Sequence, residues 1–260
     1  MRVLVTFAVD AEFAPWRSRH AFVPYEFNDS GEKREFDLFC ANIEVSEVTV
    51  LLTGMGRDNV KKAMSTISPA LYDVLISTGL AGALDLSLHV RDVVVGRSAQ
   101  TSDHSQKVES DGRLISLAAA CGARVANAFL TSDTIATTAE EKHSLIATGN
   151  LVEMETCHIL AVAGQYKVPA VGVRAISDAA DEDLPLDFDR ITDSRGKVKV
   201  GRLLKELALR PHLLPLLLRF GRQCRTAAGS LADFLDQYIP AVERQWRKVS
   251  STRIEEVSTT

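Results

Sequence analysis

The feature that most constrains this 260-residue chain is a set of short, continuous Val/Ile/Leu-rich runs separated by longer segments of helical spacing. Residues 2–8, 48–53, 74–78, 93–96, 124–130 and 170–176 read as strands. Most are apolar without alternation, so both faces must be covered, as in a central sheet sandwiched by helices. Between them, 58–68, 113–120, 138–147 and 153–165 read as helices. The third begins Thr138-Ala139-Glu140-Glu141, a capping pattern. The fourth is apolar at Met154, Cys157, Leu160 and Ala161. Strand–helix alternation predicts an α/β three-layer sandwich. Polar residues 18–37 suggest an excursion or hairpin, and 181–197 are acidic and loop-like. Leu-rich helical stretches follow at 198–209, 211–226 and 230–248, and a frayed tail is expected over 249–260.

A hydrophobic fraction of 46% with 25% charged residues fits a globular chain with a sizeable core. No run of 18 apolar residues is present, and Asp10 and Glu12 interrupt the opening apolar stretch too early for a signal peptide. Cys40, Cys121, Cys157 and Cys224 form no CxxC pair, so a disulfide scaffold or zinc site is not expected and a cytoplasmic location is. The net charge of −4 hides an asymmetry: 17 basic against 28 acidic residues over 1–194, and 13 against 6 beyond. Nine basic residues and one acid lie between Arg195 and Arg225. An acidic chain argues against nucleic acid as a partner.

Three features lie at strand exits, where open α/β sheets place ligands. Asp10 and Glu12 follow the first strand; they suit water or a cation, but taken alone they read first as helix N-terminal acids. The turns Thr53-Gly54-Met55-Gly56 and Thr78-Gly79-Leu80-Ala81-Gly82 let backbone amides approach a ligand, or are simply tight turns. The segments Val152-Glu153-Met154-Glu155 and Arg174-Ala175-Ile176-Ser177-Asp178 gather carboxylates fit for ribose hydroxyls and a general acid. Read blandly, they are helix-start acids and an N-cap. A single ExxH pair, Glu155 and His158, does not make a di-metal site, and no HExxH or GxSxG occurs.

VEMET followed by VPAVGVRAISDAAD resembles the signature of the purine and uridine phosphorylase superfamily, close to the methylthioadenosine/S-adenosylhomocysteine nucleosidases. AVDAEF, TGMGRDNVKKA, DVLISTGLAGALD and TSDTIAT match further family motifs in the same order, over about residues 1–182. Beyond them, LPLDFDRI and LLKELALRPHLLPLLLRFGRQCRTA resemble the hopanoid-associated phosphorylases, as does Leu80 where nucleosidases carry Ser.

The resemblance implies a mixed, twisted sheet in a catalytic core over 1–194, with a helical extension over 195–248 packed on it. It implies cleavage of the N-glycosidic bond of a 5′-substituted adenosine, releasing adenine, with no cofactor and no metal. Asp178 would protonate purine N7, held protonated by partial burial; Glu155 would accept the ribose hydroxyls; Glu12 would handle the attacking water. Met154, Glu153, Arg174, Ala81, Gly82, Ile135 and Ser177 would complete the nucleoside site. Ile135 stands where nucleosidases stack an aromatic residue on the base. Hydrolysis is favoured over phosphorolysis, for which Arg57 and Arg174 are the candidate phosphate contacts. A homodimer is expected. So is peripheral contact of 198–226 with the inner membrane, in keeping with a lipid nucleoside such as adenosylhopane. The alternatives are a phosphate-dependent phosphorylase and a non-catalytic nucleoside-binding protein.

Overall fold

The computed structural model describes residues 1–25, 35–186, 210 and 213–258, with side chains as far as Arg247. Five consecutive residues, Val3 to Phe7, four of them apolar, are buried in β1 (Arg2–Phe7), the centre of the first half of the sheet. It is parallel both to β4 (Ser46–Leu52) and to β5 (Val74–Ser77). Strands β2 (Val23–Pro24) and β3 (Leu38–Ile43) add an antiparallel edge beside β4. The expected polar excursion therefore contributes a strand, and its residues 26–34 lie outside those described.

The second half is built on β11 (Ala170–Asp178), buried at every residue. It pairs in parallel with β5 and β6 (Leu80–Ala83), and antiparallel with β7 (Val93–Thr101). β6 continues to β10 (Leu151–Glu153), β10 to β9 (Arg124–Thr131), and β9 back to β7. These five strands close on themselves into a small barrel fused to an open sheet. β8 (Lys107–Glu109) lines the outer edge of β7. The sheet is mixed, as expected.

Helices α1 (Asp10–Arg17), α2 (Arg57–Ser65), α3 (Gly112–Ala120), α4 (Ala139–Leu145) and α5 (Thr156–Gln165) connect the strands. The capping box predicted at α4 is present: Thr138 accepts from the Glu141 N–H, and Glu141 accepts from the Thr138 N–H. The fourth predicted helix starts three residues late. Glu153 belongs to β10, because pairing with β9 fixes it in extended backbone.

The C-terminal stretches expected at 211–226 and 230–248 form one helix, α6 (Leu213–Ser258), which also runs through much of the tail expected to fray. The stretch 198–209 lies outside the described residues. Gly229 and Pro240 disfavour a helix interior, yet α6 passes both. One face, including Ala227, Leu231, Leu235, Tyr238 and Val242, is buried against the core of Phe7, Phe13 and Trp16. Packing of that face outweighs local propensity. Asp236 binds the helix to α1, accepting from Trp16 Nε1 at 2.8 Å and Arg19 at 2.9 Å. No helix among the described residues is long and apolar enough to cross a membrane.

Candidate active site

A cavity of about 1030 Å³ opens where β6, β10 and β11 end, beneath α1 and α6. Its volume reaches the top of the roughly 300–1,000 Å³ usual for small-molecule sites. Glu12, Ala81, Gly82, Ile135, Glu153, Met154, Glu155, Ser177 and Asp178 all line it. One cavity thus collects most of the residues singled out from the sequence, although they come from five separate segments.

The two acids after β1 diverge. Asp10 turns outward to Arg17 at 2.6 Å. Glu12, at the third position of α1, reaches back: Oε2 accepts from the N–H groups of Ala8 (3.0 Å) and Val9 (3.3 Å). Oε1 accepts from the Leu80 N–H at 2.8 Å. A Cβ on Gly79, whose φ is +146°, would lie 2.9 Å from Oε1, so the glycine makes room for this carboxyl. Burial pushes the Glu12 pKa up, although these amides and the charge of Arg174 pull the other way.

Glu153, Glu155 and Arg174 form a buried network. Glu153 Oε2 accepts from Arg174 at 2.6 Å, from the Thr156 N–H at 2.8 Å and hydroxyl at 2.7 Å, and from the Glu155 N–H at 3.0 Å. Its Oε1 accepts from the Thr131 hydroxyl. Burial alone would raise its pKa; Arg174 and the hydroxyl donors overcome that and hold it low. Glu155 accepts from the Gly56 N–H at 2.8 Å and lies 3.8 Å from Arg174. Burial first, and then the charge of Glu153, push its pKa up to about 8. Neighbouring carboxyls are thereby driven apart, Glu153 as a fixed anion and Glu155 as a group that titrates near neutrality.

Asp178 ends β11. Its Oδ1 accepts from Ser177 Oγ at 2.6 Å. Its Oδ2 lies 2.6 Å from Nζ of Lys142, a fully buried side chain of α4 that the sequence reading missed. A Cβ on Gly82 would stand 2.9 Å from that oxygen. The Glu140-Glu141-Lys142-His143 run resembles a solvated helix face, and nothing local marks Lys142 as buried. Burial had been expected to keep Asp178 protonated; an adjacent ammonium is a different setting.

Neither arginine considered for phosphate lines the cavity. Arg174 is buried behind it and bonded to Glu153, while Arg57 is half exposed, 3.8 Å from Asp133. Among the described residues no group of three or more His, Cys, Asp or Glu side chains is arranged to hold a metal ion.

The lining from α1 and α6 is mostly apolar, although Arg19 and Arg225 also line the cavity. Leu217, Phe220 and Cys224 project from one face of α6, opposite Ala11, Ala14 and Pro15 of α1. Burial pushes the Cys224 thiol up to about 12, so it is a packing group and not a nucleophile.

The family profile of the phosphorylase superfamily matches residues 2–208, about four-fifths of the chain. The chain belongs to the phosphorylase superfamily. Its fold is also that of solved superfamily-like structures. The 5′-methylthioadenosine/S-adenosyl homocysteine nucleosidase of Campylobacter jejuni superposes with a TM-score of 0.69 at 18% identity, covering 92% of this chain and 98% of that one. A futalosine hydrolase mutant of Helicobacter pylori gives 0.68 at 16%, covering 92% and 99%. The Neisseria meningitidis nucleosidase, in complex with methylthio-immucillin-A, gives 0.65 at 22%, covering 92% and 98%. At these identities the likeness is one of fold.

Proposed function

We propose that this superfamily member hydrolyses the N-glycosidic bond of an adenosine carrying an apolar 5′ substituent, and releases adenine. The observation that carries the reading is one cavity lined both by Glu12, Glu155 and Asp178 and by apolar side chains of α1 and α6.

Breaking the C1′–N9 bond sends its electron pair onto the purine, and the ribose becomes oxocarbenium-like. Asp178 delivers a proton to N7, which makes the base a neutral leaving group. Ionised Glu155 accepts hydrogen bonds from the ribose hydroxyls, and its charge stabilises the cationic ring more than the ground state. Met154 packs on the ribose. Glu12 takes a proton from the attacking water while Arg174 balances the local negative charge. Ile135 and Ala81 shape the base pocket without aromatic stacking.

Water is favoured over phosphate because Glu12 and Glu155, in the ionised form the reaction uses, would repel a dianion, and Arg174 is already committed to Glu153. Phosphorolysis is the second reading. Adenine release that proceeds without phosphate and yields the free sugar supports hydrolysis; a strict need for phosphate, with ribose 1-phosphate as product, overturns it.

The mostly apolar lining suits a large apolar 5′ group better than a compact polar one, and a polycyclic hydrocarbon of the adenosylhopane type is the substituent proposed. Such a substrate would come from a membrane. Leu214, Leu216 and Leu218 are 48%, 48% and 56% exposed at the start of α6, beside Arg219 and Arg222, a composition suited to anionic lipid. Binding to anionic liposomes that weakens when these leucines become Ser supports this entry route; no binding at all opposes it. The homodimer belongs to the same reading, and light scattering at twice the 28.4 kDa chain mass is the expected result.

A further inference from the structure

Lys142 is the one fully buried lysine among the described residues, and it takes no part in the chemistry set out above. Its Nζ has three close acceptors: Asp178 Oδ2 at 2.6 Å, the Ala179 carbonyl at 2.8 Å and the Glu182 carbonyl at 2.8 Å. An ammonium has three N–H groups and no lone pair. Three acceptors therefore match –NH3+, whereas a neutral amine would turn its lone pair toward one of them. Asp178 accepts at both oxygens, from Lys142 and from the Ser177 hydroxyl. Lys142 does not line the cavity; it stands behind the carboxylate that does.

We propose that Lys142 is a positioning residue that fixes Asp178 and holds in reserve the proton the departing adenine takes up. The inference rests on the reading of Asp178 as the leaving-group acid. As C1′–N9 breaks, a proton passes from Nζ to the Asp178 carboxylate and on to N7 in one relay, so Asp178 ends as the carboxylate it began and Lys142 ends as a neutral amine. The water that attacks C1′ gives its proton to Glu12. The net reaction consumes one water. Solvent then removes the proton from Glu12 and returns one to Lys142. Two backbone carbonyls tether the amine throughout, so it stays within reach of Oδ2.

The test compares two ribosides with the same 5′ group, one carrying adenine and one carrying 4-nitrophenolate, which leaves without protonation. For Lys142→Met and Lys142→Arg, kcat for adenine release should fall about tenfold or more, within the range of general-acid contributions. KM should change little, and nitrophenolate release should stay within about threefold of wild type. Arginine keeps the charge and the donors but does not release a proton at these pH values. Full adenine activity in Lys142→Arg overturns the proton reserve, and equal losses on both ribosides in both variants reduce Lys142 to a structural role. Wild-type enzyme that does not release adenine from the adenine riboside overturns the proposed function itself. Wild-type release that survives in Lys142→Met overturns this inference alone.

Discussion

The two ends of the cavity are made differently. The acid end is built from strand termini, and each carboxyl is gripped by backbone amides or a buried cation: Glu12 by Leu80, Glu155 by Gly56, Asp178 by Lys142. The apolar end is a gap between single faces of α1 and α6, elements two hundred residues apart in sequence. Chemistry needs groups fixed to fractions of an ångström, and these bonds at the exits of β1, β10 and β11 supply that. Choice of substituent needs only shape and apolarity, which helix faces can vary without disturbing the barrel. Changes at the acid end should therefore abolish turnover of every substrate, and changes at the apolar end should alter only which substrate is used.

The largest expected effect is at the acid end. Asp178→Asn should lower kcat by about 10²–10⁴, the usual contribution of a general acid, for short and long 5′ groups alike. Steady-state kinetics on both classes checks this; a loss confined to one class would break the distinction.

At the apolar end, Phe220→Asp should lower kcat/KM about 10–200-fold for an adenosine with a large apolar 5′ group, the range open to a hydrophobic pocket. Methylthioadenosine should be affected far less. Equal losses on both would show that α6 supports the acids instead of selecting the substituent.

The pH dependence sharpens the acid end further. If ionised Glu155 is the active form, kcat/KM should rise with pH around a midpoint of about 8. Glu153→Gln removes a charge that raises Glu155 and frees Arg174, so the midpoint should move down. Stability follows the opposite sign. Unfolded, Glu155 loses its proton near the ordinary 4.5; folded, it keeps it to about 8. Between those values the folded chain binds more protons, so this group destabilises the fold increasingly as pH rises, and fully above 8. Glu155→Gln should raise Tm relative to wild type at pH 9, with the difference fading toward pH 5, while activity is lost.

The smallest effect concerns the anchor shared by α1 and α6. Asp236→Ala leaves Trp16 Nε1 without its acceptor, releases His20 and leaves Arg19 with Asp233 alone. A loss of about 1–3 kcal/mol in chemical denaturation is expected, with kcat for methylthioadenosine kept.

What the sequence made legible follows from the same contrast. Strands buried on both faces, such as β1, β5 and β11, were readable to within a residue or two because burial leaves a continuous apolar run. β6 and β10 were not. They are three or four residues long, one contains Gly82 and the other ends in Glu153, so one passed for a glycine turn and the other for a helix start. The acids were visible as ordered motifs, and the cavity gathers them. Lys142 was invisible because its burial is created by Asp178, Ala179 and Glu182, some forty residues later. The apolar wall was hidden for a related reason: Leu217, Phe220 and Cys224 are an ordinary i, i+3, i+7 helix face until α1 is set opposite them.

The central claim is tested most directly by adenine release from a series of adenosines whose 5′ substituent grows from methylthio to a polycyclic hydrocarbon, assayed with and without phosphate. The account predicts release in the absence of phosphate, with kcat/KM climbing as the substituent becomes larger and more apolar. Activity that requires phosphate, or that falls as the substituent grows, would contradict it.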